Sequence, residues 1–252
     1  MPLVFRGESA GPTSLRHLPR WEGSGYPEIV AARHVVHLAG WGLGCAAAPV
    51  LLRSMFGRGW GAIGVAIALL ATVWLTIILP RSAHTAFEAA KWKRASRRYR
   101  LLGAFAFSAH RERAALLSRA GCDIEMKQLA AAERALAAIE PTDTTERVVW
   151  LNNRACVMLD TDQDAAAALA LVEEATALRP DVPAIQHTRA RALLAVGRID
   201  EAISVFEGMR SGGELPPYLE AERCRDLARA WEQKGQVDYA ADYRERARLH
   251  AS

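Results

Sequence analysis

His34 and His37 stand three residues apart in an apolar stretch, and His84 follows just past a second one. A histidine pair at i, i+3 on one helix could share a metal or a haem iron. No carboxylate or cysteine accompanies this pair, so hydrogen bonding at an interface is the expected role, with no metal site and no cofactor. Cys45, Cys122, Cys156 and Cys224 lie far apart without a C-x-x-C pair. That spacing argues against a zinc cage and a disulfide framework and suits a reducing compartment. "GWGLG" (Gly40–Gly44) lies in apolar sequence without the strand-to-helix context of a phosphate loop. No nucleophile motif or metalloprotease helix is present either. With no catalytic residue to nominate, the chain is expected not to be an enzyme.

The histidines direct attention to the segments that hold them. Trp60–Leu79 is twenty residues without one charge. At 1.5 Å per residue it reaches about 30 Å, the hydrocarbon thickness of a bilayer. Ile29–Leu52 is a second candidate span, rich in Gly and Ala, with Arg33 and His34 near its start. The linker Arg53–Gly59 is short enough only for an antiparallel turn, so residues 29–79 are expected to form a transmembrane helical hairpin. Gly40-x-x-x-Gly44-x-x-x-Ala48 and Gly64-x-x-x-Ala68 offer small faces for close approach. A cleaved signal does not fit, because the preceding region is long and a second span follows at once.

Charge divides the chain. Residues 1–100 hold 13 Lys/Arg against 4 Glu, and residues 101–252 hold the other 19 Lys/Arg against 24 acids. Arg6, Arg16, Arg20 and Arg33 precede the first span, and seven basic residues follow the second. The positive-inside rule then puts both termini in the cytoplasm of a plasma membrane, a bacterial inner membrane by the Ala- and Arg-rich composition. Residues 1–28 read as a disordered basic tail. Pro80 is expected to end the second span and Ser82 to cap a basic amphipathic helix over 80–102. Its stripe is Trp92, Ala95, Tyr99 and Leu102. Lys91, Lys93, Arg94, Arg97, Arg98 and Arg100, together with Trp92, would lie on anionic headgroups. The adjacent membrane accounts for these charges without nucleic acid.

The remainder is self-similar. Leu159, Leu193 and Trp231 correspond, as do Ala168, Ala202 and Ala240, and Ala175, Met209 and Ala247. Gly197 and Gly235 sit at equivalent turns, followed by Asp200 and Asp238. The pattern resembles the tetratricopeptide repeat (TPR) family, a 34-residue helix–turn–helix motif, with "AVGRIDEAISVF" the nearest stretch and Pro180 at the repeat-ending position. The resemblance covers residues 146–252 with three repeats. Repeat one lacks the turn glycine, and Arg244 replaces a large apolar residue in repeat three. Residues 103–145 are expected to be a degenerate repeat or cap. The fold class is therefore all-α, a membrane hairpin followed by a cytosolic TPR-like α-solenoid.

The resemblance implies a concave face lined by the first helix of each repeat. The family pattern puts Trp150, Asn153, Val157 and Asp160 there, then Ala184, His187, Arg191 and Leu194, then Glu222, Arg225, Arg229 and Glu232. Trp150, Asn153, His187, Arg191, Arg225 and Arg229 are the expected partner-binding groove, suited to an acidic group of a protein or peptide. The implied function is a membrane-anchored adaptor that recruits or assembles a complex at the cytoplasmic face. The alternative is a small transport or redox component working through the hairpin histidines.

Overall fold

The computed structural model describes residues 26–212 and 214–250, and among these every regular element is helical. The tail expected over 1–28 lies outside the described residues except at its end, where Tyr26 opens α1 (Tyr26–Phe56). Gly57 alone, at φ 101°, makes the turn into α2 (Arg58–Val73), so the seven-residue linker contracts to one residue. Two stretches are long and apolar enough to cross a membrane, His34–Phe56 and Trp60–Glu88. Val36, Leu43, Val50, Leu69 and Leu70 each expose more than half of their surface.

Pro80 does not end the second helix. A π-turn at Trp74–Ile78 precedes it, with the Leu79 N–H donating to the Trp74 carbonyl, and the helix runs on as α3 (Leu79–Glu88). The wider turn makes room where proline lacks a donor and crowds the carbonyl four residues back. Of the expected small faces, Gly64 alone packs tightly. A Cβ there would fall 2.9 Å from Pro49 Cα, whereas Gly40 and Gly44 have nothing within 4 Å.

The single basic helix expected over 80–102 is two helices, α3 and α4 (Trp92–Ala104), folded against each other, with Arg98 donating to the Ser82 carbonyl at 2.6 Å. Ser82 is no cap, because its hydroxyl donates to the Leu79 carbonyl inside α3. Four more hairpins follow. They are α5 (Ala109–Glu125) with α6 (Leu129–Ala137), α7 (Thr144–Asp160) with α8 (Ala165–Leu178), α9 (Pro183–Ala195) with α10 (Ile199–Gly208), and α11 (Pro217–Gln233) with α12 (Val237–His250).

One turn geometry recurs through all five hairpins. A backbone N–H donates five residues back, from Lys91 to Ala86, Gln128 to Asp123, Gln163 to Met158, Arg198 to Leu193 and Gln236 to Trp231. The residue just before each donor has positive φ: Ala90 (54°), Lys127 (58°), Asp162 (50°), Gly197 (80°) and Gly235 (77°). Early in each second helix stands an alanine with no exposed surface: Ala95, Ala132, Ala168, Ala202 and Ala240. Without a larger side chain there, the two helices of a pair close tightly, and successive pairs stack around two adjoining core clusters, against both of which Trp150 packs.

Candidate functional site

The first helices α3, α5, α7, α9 and α11 share the inner face of the array. Phe87 and Trp92, flanking the α3–α4 turn, meet Tyr218 of α11 edge-on, with centroids 6.5 and 5.6 Å away. The first hairpin thus touches the fifth and closes the concave face into a cavity of about 700 Å³. Its wall combines that aromatic cluster with charged groups from α3, α5, α7, α9 and α11.

Four of the six groove residues expected from sequence, His187, Arg191, Arg225 and Arg229, line this cavity. Asp160 and Glu222, also on the implied concave face, join them. Trp150 and Asn153 do not. The Asn153 amide is fully buried and donates to the Leu117 carbonyl at 3.2 Å, holding α7 to α5. Trp150 donates to the Leu136 carbonyl at 2.9 Å, with the Arg154 guanidinium over its ring. Both face the preceding hairpin, because α7 is an internal helix of the stack and not its first.

The expected basic character is largely neutralised. Arg191 binds Asp160 at 2.6 Å, and Lys127 reaches the other oxygen of that carboxylate at 2.9 Å. Arg229 binds Asp226 at 3.0 Å. Burial would raise Asp160 and Asp226, but Arg191 and Lys127 around the first, and His187 followed by Arg191 and Arg229 around the second, override it and hold both carboxyls below the usual range. Burial keeps His187 below its ordinary value, so the imidazole is neutral, with Nε2 3.2 Å from an Asp226 carboxylate oxygen.

The cationic row on α4 is apolar on its other side, but that side faces protein. Ala95 and Tyr99 are buried in the core, with Trp92 and Leu102 packed against it. Lys91, Lys93, Arg94, Arg97 and Arg100 form no ion pair among the described residues. The helix can therefore offer charge to a membrane surface but cannot insert its stripe. His34 lies 3.1 Å from Glu112, a partner far away in sequence, and His84 lies 3.1 Å from Glu88, four residues on along the same helix.

Among the described residues, one group has metal-ligand geometry: His110, Asp143 and Glu146. Its carboxylates already serve the helix start. Asp143 accepts from the Glu146 amide at 2.8 Å, and Glu146 accepts from the Thr142 amide at 2.9 Å and from Arg113 at 2.8 Å. The positive ends of α5 and α7 also meet there, which disfavours a bound cation.

Five helix–turn–helix units stacked with small buried alanines define a repeat array that presents one inner face. Residues 161–211 match the family model described as Tetratricopeptide repeat. Two solved structures are similar. MamA AMB-1 has 18% identity over 69% of this chain and 98% of its own, at a TM-score of 0.40. MamA MSR-1 has 16% identity over 71% and 97%, at 0.39. No curated protein matches the chain.

Proposed function

We propose that this chain is a membrane-anchored adaptor that seats a segment of a partner protein in the cavity between its first and fifth hairpins. The observation that carries this reading is the cavity itself, polar-walled and bounded by an aromatic cluster, on the face that repeat arrays offer to partners. The apolar pair α1–α2 supplies the anchor, and the Lys/Arg bias around it favours both termini on the cytoplasmic side of a plasma membrane, bacterial by composition. Anchoring confines the array to a surface, where effective concentration lets a weak seat hold its partner. The protein then works by holding and not by catalysis, and the cations of α4 add attraction to anionic headgroups.

The test is site-directed photo-cross-linking of the full chain in its native membrane. p-Benzoylphenylalanine replaces Lys127, which lines the cavity, or Glu173 on the exposed side of α8. One discrete adduct from the first site and none from the second supports the reading. Equal labelling from both sites, or none from either, overturns it. Alkaline carbonate extraction addresses the anchor separately, since release of the full chain into the wash removes that part of the proposal.

A further inference from the structure

Helices α3, α5 and α7 each deliver their last residue to the cavity, and each of those residues is acidic: Glu88, Glu125 and Asp160. A carboxylate at a helix C-terminus adds negative charge where the helix dipole is already negative, so the arrangement opposes helix stability. Such a conflict between local rule and structure marks a place held for another purpose. Asp160 is compensated by Arg191 and Lys127, and Glu88 has His84. Glu125 has no ion pair among the described residues, and neither has Glu222, which faces the same cavity from α11.

Two further observations agree on the sign of the missing group. Burial, and then repulsion from Glu222, push the Glu125 carboxyl up to about 7. The hydroxyl of Tyr218 is also raised, by burial and then by Glu125, Glu222 and Glu88, which line the same cavity. Independently, the fully buried His187 lines the cavity with neither ring nitrogen in a hydrogen bond of good geometry. With Nε2 beside the Asp226 carboxylate, the proton of the neutral ring belongs on Nε2, which leaves Nδ1 as an acceptor. Carboxylates outside any ion pair, with only the Asp160-bound Lys127 acting on Glu125, a buried imidazole and flat aromatic faces at Trp92 and Tyr218 describe one kind of guest.

We propose that the Glu125–Glu222 corner of the cavity receives an arginine guanidinium from the partner protein, held by the two carboxylates beside Trp92 and Tyr218. This rests on the reading of the cavity as the partner's seat and reverses the acidic guest that the arginines alone suggest. Guanidinium fits better than ammonium, because it binds carboxylates bidentately and stacks on aromatic rings. Arg225, whose side chain donates to the Ala221 carbonyl, stands at the rim and would repel a guest that entered without passing close to Glu222.

The experiment uses the full chain in detergent micelles and ligand-observed saturation-transfer NMR with three probes: acetyl-Gly-Arg-Gly-amide and its Lys and Glu counterparts. The Arg peptide should give the strongest transfer, the Lys peptide a weaker one and the Glu peptide none. E125Q and E222Q, near-isosteric and free of the mutual repulsion, should each weaken the Arg peptide about tenfold without lowering Tm. Binding of the Glu peptide, or Arg binding unchanged in both variants, overturns the proposal. So does displacement of the Arg peptide by 1 mM calcium chloride with no effect of sodium chloride at equal ionic strength, which identifies a metal seat. If the Arg peptide binds as described while photo-cross-linking from Lys127 yields no adduct, the adaptor reading fails and the guanidinium site stands.

Discussion

Tyr218 of the fifth hairpin stands edge-on to Trp92 of the first, ring centroids 5.6 Å apart and planes at 83°. In a repeat array each unit ordinarily touches only its neighbours, so stability is a sum of local terms. This contact joins the two ends instead. Tyr218→Ala should remove it together with the Phe87 contact while leaving every neighbouring interface in place. The expected loss is about 2 kcal/mol, of which roughly 0.5–1.5 kcal/mol per ring pair is specific to the aromatic geometry. Spin labels at Lys93 and Glu214 should report a distance distribution that broadens in the variant. An unchanged distribution would mean that the stack alone sets the curvature.

The five turns share one left-handed residue, yet only two of them use glycine. An L-residue with a side chain costs roughly 1–2 kcal/mol in that region, less for aspartate. Ala90→Gly should therefore stabilise the array by about 0.5–1 kcal/mol, the gain being reduced by the greater freedom of glycine in the unfolded chain, and Lys127→Gly by less because it also loses the ion pair to Asp160. Gly197→Ala and Gly235→Ala should destabilise it by a similar amount or more. Urea denaturation monitored by circular dichroism measures both. The prediction fails if the first pair lowers the midpoint.

These same turns explain how much of the fold was legible in the sequence. The last two hairpins were read in register because Gly197 and Gly235 mark them, and repeat one followed from its alanines. The sequence marks α5–α6 only as a degenerate repeat or cap and α3–α4 not as a repeat at all, because Ala90 and Lys127 do what glycine does elsewhere, and neither residue type signals a turn. Ala95 and Ala132 were the available signal, lying 37 residues apart in the same register as Ala168, Ala202 and Ala240. The stripe of α4 was equally visible, but amphipathic periodicity says only that a helix covers something apolar. Lipid and a neighbouring helix leave the same mark, and α5 turned out to be the cover. Part of the site was legible through spacing within single helices. The compensation of Arg191 by Asp160 and the closure by Tyr218 depend on how hairpins stack, which no local pattern encodes, whereas Arg229 and Asp226 pair three residues apart on one helix.

Gly64 is the point of closest approach in the apolar hairpin. A Cβ built there lies 2.9 Å from Pro49 Cα and 3.1 Å from Leu52 Cδ1, and the backbone of Pro49 cannot give way. Gly64→Leu should force α2 off α1 and cost about 1–3 kcal/mol by overpacking. Gly44→Leu meets nothing within 4 Å and serves as the control. Thermal unfolding of the full chain in detergent should show a lower midpoint for the first variant only. Equal midpoints would place the helix contact elsewhere.

Protonation of the cavity gives a prediction whose sign is fixed by linkage. Glu125 titrates near 7 in the folded chain, raised by burial and by Glu222, against an ordinary value of 4.5. Between those values the folded state binds more protons than the unfolded, so this group makes stability fall as pH rises from about 4.5 to 7, with no further loss above. Asp160 and Asp226 act in a different window. Their lowered carboxyls contribute fully above about 3.8, and that contribution disappears as pH falls through their folded values. His187 opposes Glu125 in part of the upper range, because its lowered value makes stability rise toward 6.5. The difference between the parent chain and Glu125→Gln isolates the carboxylate. The variant should match the parent near pH 4.5, exceed it increasingly up to pH 7, and keep a constant advantage in Tm above. A difference that does not depend on pH would show that Glu125 ionises in the folded cavity as it does in water.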